Sequence, residues 1–193
     1  YSSMLSNGYF LFLGRIHPVK GLDVLLKAFS LLKESRGEND FPLLVCAGPD
    51  ENNFSQKLLS LAKEFEIEDR IIFPGMLTGR NKQAIIRMAK CYILPSRSDV
   101  KGIATLEAMA YGVPVIVSEH CHFEELRNDS SGLIAELEPQ SLCRAMSWIL
   151  DNPVEANAMG ERGQKLVNKS FTWALVAQKT IAFCESIIEG LTS

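Results

Sequence analysis

Residues 9–34 read YFLFLGRIHPVKGLDVLLKAFSLLKE, and this stretch decides the fold class. Tyr9–Leu13 is continuously apolar, without the alternation of a half-solvated strand. Such a short run is expected to form a strand covered on both faces. Gly14 ends it. From Gly21 to Glu34 the apolar Leu22, Leu25, Leu26, Phe29 and Leu32 recur at helical spacing, with Asp23, Lys27, Ser30, Lys33 and Glu34 on the other face. A strand buried on both sides, a loop and an amphipathic helix make the opening of a βαβ unit.

The same alternation continues to the end of the chain. Further strands are expected at Leu43–Ala47, Ile71–Phe73, Cys91–Leu94, Pro114–Val117 and Gly132–Ala135. A second amphipathic helix carries Phe54, Leu58, Leu61 and Phe65, and others are expected over 80–89, 105–111, 121–127, 140–150, 154–168 and 172–189. In the last, Trp173, Val176, Ala177, Ile181, Cys184 and Ile188 form one stripe, expected to pack on the core. Strands alternating with helices imply right-handed crossovers and a doubly wound parallel sheet, a Rossmann-like α/β fold. With no repeat and no Pro/Gly-rich linker, residues 1–193 are read as one domain. Ligands of such sheets bind beyond the carboxyl ends of the strands, so function is expected in the loops that follow them.

Composition narrows the classes. The chain is 47% hydrophobic and 22% charged, the balance of a soluble globular domain able to bury its own core. A net charge of −3 argues against general affinity for nucleic acid or acidic membranes, while leaving room for a local basic pocket. The five cysteines include no C-x-x-C pair, which points to buried, reduced thiols in the cytoplasm. No apolar stretch is long enough to span a membrane, and the start, YSSMLSNGYF, lacks the pattern of a signal peptide. A chain that opens on Tyr and enters a strand almost at once is read as cut from a longer protein.

Two loops carry unusual residues. In Gly14-Arg15-Ile16-His17-Pro18-Val19-Lys20-Gly21, two glycines bracket the cations Arg15 and Lys20 at the end of the first strand. A planar guanidinium fork beside a compact ammonium suits a diphosphate, although solvated loop charges would read the same way. The loop is neither G-x-G-x-x-G nor G-x-x-x-x-G-K-[ST], which disfavours a dinucleotide oxidoreductase and a P-loop. In the second loop, residues 95–110, Gly102 allows close backbone approach, and the N–H groups of Ile103, Ala104, Thr105 and Leu106 open a helix as an anion site. Glu107, one turn in, is placed to accept ribose hydroxyls; the alternative is a carboxylate that merely favours the helix dipole. His120 and His122 flank Cys121, but two histidines without further spaced ligands make poor evidence for a metal.

Residues 95–115, PSRSDVKGIATLEAMAYGVPV, resemble the P-S-x-x-E-x-F-G-x-x-x-L-E-A-M-A-x-G-x-P-V signature of the family-4 glycosyltransferases of GT-B fold. GRIHPVKG is similar to that family's G-R-x-x-x-x-K-G loop, and FPG at 73–75 and Glu124 spaced from Gly132-Leu133 agree. The resemblance covers nearly the whole chain. It implies the C-terminal, donor-binding half of a retaining hexosyltransferase that works on a nucleoside-diphosphate sugar, inactive without its N-terminal half. Catalysis would fall to Arg15 and Lys20 on the donor diphosphate. Glu107 would hold the ribose, the loop of Gly75 to Leu77 the nucleobase, and Gly14, Gly102 and the amides of Ile103–Leu106 the remaining donor contacts. The resemblance further implies no metal or other cofactor, a sugar, glycan or lipid-linked acceptor, a role in glycan or polysaccharide biosynthesis, and a cytoplasmic protein peripheral to the membrane through its other half.

Three positions depart from the pattern. Asp99 stands where the family has the Glu that faces the transferred sugar, shortening its reach by one methylene. Val100-Lys101 replaces x-Phe, which is expected to put a cation beside the sugar. His120-Cys121 replaces Gly-Gly and is expected to crowd a backbone near the ligand. These departures motivate a second reading, a degenerate nucleotide-sugar-binding module with a regulatory or scaffolding role.

Overall fold

The computed structural model describes residues 8–37 and 41–192. Its strands are β1 (Tyr9–Leu13), β2 (Leu43–Ala47), β3 (Ile71–Gly75), β4 (Cys91–Leu94), β5 (Val115–Ser118) and β6 (Leu133–Ala135). They form one parallel sheet in the order β3-β2-β1-β4-β5-β6. The order turns outward on both sides of the β1–β4 pair, so the switch point lies between those two strands. Every residue of β1, β2, β4 and β5 is buried, as their unbroken apolar runs require once helices cover both faces.

The helices are α1 (Leu22–Arg36), α2 (Phe54–Glu64), α3 (Gly79–Arg87), α4 (Ile103–Ala110), α5 (Glu125–Asn128), α6 (Pro139–Asp151), α7 (Pro153–Ser170) and α8 (Trp173–Thr192). α1 buries Leu22, Leu25, Leu26, Phe29 and Leu32, the stripe read from sequence, and packs on α6. α4 packs on α7 and on β4 and β5. This places the start of α4 at the switch point, directly beside the loop that leaves β1.

Four expectations are corrected. β3 runs on to Gly75, so FPG belongs to the strand and does not follow it. α4 begins at Ile103, two residues earlier than expected, because the left-handed backbone at Gly102 (φ 62°) ends the loop there. The segment expected as one helix over 121–127 is a 3-10 turn, Glu119–Cys121, and the single turn α5. The stripe on α8 is not core: Trp173, Val176, Ile181, Cys184 and Ile188 are all exposed, as is Phe183 at its side. Cys46, Cys91 and Cys121 are buried as expected, whereas Cys143 is half-buried. Among the described residues no helix is long and apolar enough to cross a membrane.

Candidate functional site

The loop after β1 is fastened to the loop after β4. Val19 offers its carbonyl to the Arg97 N–H at 2.8 Å and to the Ser96 hydroxyl at 3.2 Å. Arg97 in turn donates to the Pro18 carbonyl and, with both terminal nitrogens, to Asp23. Burial pushes the Asp23 carboxyl up, but the hydrogen bond and charge of Arg97 outweigh it and hold the group below its ordinary range. Gly21 adopts φ 67°, and a Cβ there would lie 1.9 Å from the Pro95 carbonyl oxygen. Only glycine lets the two loops approach this closely.

That fastening delivers Lys20 to Asp99. The Lys20 ammonium meets Oδ2 of Asp99 at 2.6 Å, and both side chains are more than four-fifths covered. Oδ1 of Asp99 accepts the Val100 N–H at 3.0 Å, which fixes the carboxylate on both oxygens. Arg15 is more open and holds Glu51 through both carboxylate oxygens, at 2.9 and 3.1 Å. The third cation is Lys82 of α3, whose ammonium lies 2.7 Å from Oε1 of Glu107. The other oxygen, Oε2, is buried without a partner.

The start of α4 supplies fewer free donors than expected. The Thr105 and Leu106 N–H groups bond the Gly102 carbonyl at 3.0 and 3.3 Å. This leaves the N–H groups of Ile103 and Ala104 without a partner among the described residues. The Thr105 side chain is fully buried, and that of Leu106 packs against the core. The anion site expected over 103–106 therefore narrows to its first two amides.

These groups share one cleft along the carboxyl edge of β1 and β4. A cavity of about 460 Å³ is lined by Gly14, Arg15, Lys20, Asp99, Gly102 and Ile103. A second, of about 290 Å³, shares Gly14, Arg15, Ile103 and Ala104 with it and extends past Leu77 to Lys82 and Glu107. Of the residues expected in the site, Gly75, Thr105 and Leu106 do not line it. Gly75 offers its carbonyl to the Gly48 N–H at 2.9 Å, and Met76 stands at the cleft in its place. A groove of about 490 Å³ between α1 and α2 is slightly larger, but Arg97 and Asp23 there are already paired and Lys57 lies over the Phe54 ring.

The departures from the pattern settle differently. Lys101 does not face the cleft: its ammonium pairs with Glu125 and lies 5.1 Å from the centroids of both Phe123 and Phe171. The expected cation beside the sugar is thus corrected; the lysine occupies an aromatic-walled slot instead, stabilised by the ring faces. His120 and Cys121 brace the loop with their backbones, accepting the Asp99 N–H at 3.2 Å and the Lys101 N–H at 3.0 Å. The Cys121 side chain is buried against the Ser118 hydroxyl and His120 is exposed, so the two face different surroundings. Val100, 76% exposed, is the residue of this loop that stands over the cleft.

Sequence reading missed Lys82, Glu51 and Gly48, whereas Met76 lies inside the loop of Gly75 to Leu77 that it did mark. Glu51 and Gly48 follow β2, where the strand-end rule points. The signal available for Lys82 is its spacing, three and four residues before Ile85 and Ile86 on the covered face of α3.

A parallel sheet in 3-2-1-4-5-6 order, with cations and free helix-start amides gathered at its switch point, defines a Rossmann-like α/β domain. Residues 5–166 match the model of the glycosyl transferases group 1 family, and the chain belongs to that family. It is 30% identical over 168 residues to the D-inositol 3-phosphate glycosyltransferase of Salinispora tropica, covering 84% of this chain and 35% of that protein. HepE of Anabaena, solved with UDP and glucose, superposes with a TM-score of 0.84 at 16% identity, over 96% of this chain and 50% of its own. The C-terminal domain of the group 1 glycosyl transferase LpcC from Francisella tularensis gives 0.74 at 20% identity, over 86% and 87% respectively. The chain thus spans about half or less of the full-length proteins it matches and nearly all of a solved C-terminal domain, and the folds agree with the expected C-terminal half of a GT-B enzyme.

Proposed function

We propose that this chain binds the nucleoside-diphosphate sugar in a retaining hexosyltransferase whose other half brings the acceptor, and that it is inactive alone. The observation that carries the reading is the convergence of Lys20, Arg15, the free amides of Ile103 and Ala104, and the Glu107 side chain on one cleft. In a bound donor the diphosphate lies against the first four and the ribose against Glu107, with the nucleobase toward Leu77. As the bond between the anomeric carbon and the phosphate oxygen breaks, that oxygen keeps the electron pair. The two amides face the place where this charge develops, and the two cations, paired with Glu51 and Asp99 in the unliganded molecule, turn to it as the diphosphate binds. The acceptor oxygen forms the new bond on the same face, and the residue that takes its proton belongs to the other half. The transferred sugar is expected beside Asp99 and Val100. Gly14 and Gly102 bring their backbones to the cleft wall, where a Cβ would lie 3.2 Å from the Phe12 ring and 2.9 Å from the Leu94 side chain respectively. HepE's complexes with UDP and UDP-glucose support a uridine nucleotide as the first donor to test.

Calorimetric titration with UDP-, GDP- and ADP-sugars tests the reading. One of them should bind, and Glu107→Ala should weaken it by about 2–3 kcal/mol, because ribose hydroxyls lose a charged acceptor. Absence of binding to all three refutes the proposal. A module that binds donor without transferring it is the second reading, favoured by the closure of Asp99 onto Lys20. Transfer by the intact protein decides between them.

A further inference from the structure

The loop that joins Asp99 to the start of α4 turns on one strained residue. The Gly102 N–H closes on the Val100 carbonyl at 2.7 Å, a three-residue turn centred on Lys101 at φ 61°. Such a turn with a positive central φ is rare, and a long side chain there persists only where its surroundings hold it. Here they hold it through backbone and side chain alike. The Lys101 N–H donates to the Cys121 carbonyl at 3.0 Å. The ammonium pairs with Glu125 of α5 and lies 5.1 Å from the ring centroids of Phe123 and of Phe171, the residue after α7. The two rings meet edge to face at 5.7 Å and close the slot. Val100 and Gly102 line the larger cavity of the cleft, and Lys101 between them does not. The N–H groups of Asp99, Val100, Lys101 and Gly102 are all taken within this corner, by the His120 carbonyl, Oδ1 of Asp99, the Cys121 carbonyl and the Val100 carbonyl. Ile103 and Ala104 carry the first free amides, and the turn sets where they point.

We propose that Lys101 is a positioning residue for the diphosphate: anchored behind the loop, it holds the turn that aims the amides of Ile103 and Ala104 into the cleft. The inference rests on the nucleotide-sugar reading above and gives the lysine a role there without contact to the ligand. An N–H binds an anion through its direction, and the hydrogen bond weakens steeply as the N–H turns away. A turn that relaxes toward negative φ would swing both amides, and phosphate affinity would fall with no residue of the cleft changed. The anchor also makes α5 and the end of α7 part of the phosphate site. An ordinary surface ion pair in the same place would contribute little and would have no bearing on phosphate.

The test uses the intact protein with UDP, GDP and ADP in calorimetry, and the nucleoside of the tightest binder as the phosphate-free comparison. Lys101→Ala should weaken the diphosphate about tenfold and leave the nucleoside unchanged. Lys101→Arg, which keeps a cation between the rings and a donor for Glu125, should retain most of the affinity. Glu125→Ala separates holding from touching. If Lys101 acts from its slot, losing the carboxylate loosens the anchor, and the diphosphate weakens by less than in Lys101→Ala. A lysine that swings out to meet the phosphate would be freed by the same change, so tighter diphosphate binding by Glu125→Ala would overturn the inference. In a Lys101→Ala background, Glu125→Ala should change nothing further. An unchanged diphosphate affinity in Lys101→Ala, or an equal loss for nucleoside and diphosphate, also overturns it. If none of the three diphosphates binds the wild type, the nucleotide-sugar reading fails first and this inference falls with it.

Discussion

Replacing Asp99 by Asn separates two roles for the half-buried Lys20–Asp99 pair. In the unliganded molecule Lys20 donates to Oδ2 at 2.6 Å, with the side chains 16% and 18% exposed. A diphosphate that takes this ammonium has to displace the carboxylate. A charge-assisted hydrogen bond at this depth contributes about 1–2 kcal/mol net, between the values for exposed pairs and for well-covered ones. Asn keeps the size of the side chain and the oxygen that accepts the Val100 N–H, so the loop is not disturbed. Free nucleoside diphosphate should therefore bind Asp99→Asn about 5- to 30-fold more tightly than the wild type. The nucleotide sugar should gain less if, as proposed, Asp99 also faces the sugar. Calorimetry with UDP and UDP-glucose measures both, and in a Lys20→Met background the gain should vanish. A fall in diphosphate affinity on Asp99→Asn would refute the reasoning, since Asp99 would then be orienting Lys20 toward the phosphate and not competing for it.

Three further outcomes follow from the geometry. Gly21→Ala should cost about 3 kcal/mol or more of stability, because the new Cβ would lie 1.9 Å from the Pro95 carbonyl at φ 67°; a melting temperature close to that of the wild type would contradict this. The hydrogen bond from Lys101 holds the Glu125 carboxyl below the ordinary glutamate range, so its contribution to stability is present above that range and lost as pH falls through the lower folded value. Melting curves of Lys101→Met and wild type should accordingly differ most near neutrality and draw together on acidification, and a constant gap would assign the effect to the aromatic contacts alone. Ending the chain at Thr172 should move the melting temperature by no more than about 3 °C, since Trp173 is 84% and Phe183 65% exposed; a larger drop would show that α8 supports the core.

The core strands were legible because burial on both faces leaves a continuous apolar run, as in Tyr9–Leu13 and Cys91–Leu94. β3 was read too short because Pro74-Gly75 looks like a turn. Its place at the sheet edge explains the tolerance, since it has one neighbour, and the register with β2 shifts between Val45 and Ala47, opposite the proline. On α8 the apolar spacing was read correctly, but periodicity says only that a face is apolar, not what covers it. At the site, Arg15, Lys20 and Glu107 stood out because they sit in loops or helix starts after buried strands. Lys82 precedes Ile85 and Ile86 by three and four residues on the covered face of α3, while Arg80 and Gln83 are exposed, but that spacing does not name its partner, which is 25 residues away. Lys101 was misplaced for a related reason: Phe123 and Phe171, which hold it, are joined to it only by the fold.

The three ion pairs around the cleft bear on how it can be empty and ready together. Each of the three cations at the cleft is paired with a carboxylate: Arg15 with Glu51, Lys20 with Asp99 and Lys82 with Glu107. Unpaired, the half-buried ammonium of Lys20 would be costly to hold in place before the ligand arrives. The pairs also leave the cleft formally neutral, which reconciles a phosphate site with a chain of net charge −3. They differ in how readily they yield. Arg15 and Glu51 are open to solvent at 53% and 36%, so that exchange costs little and the guanidinium is the first to turn to an incoming phosphate. Lys20 gives up a covered partner, so its transfer is worth making only for a ligand that also offers a sugar to Asp99.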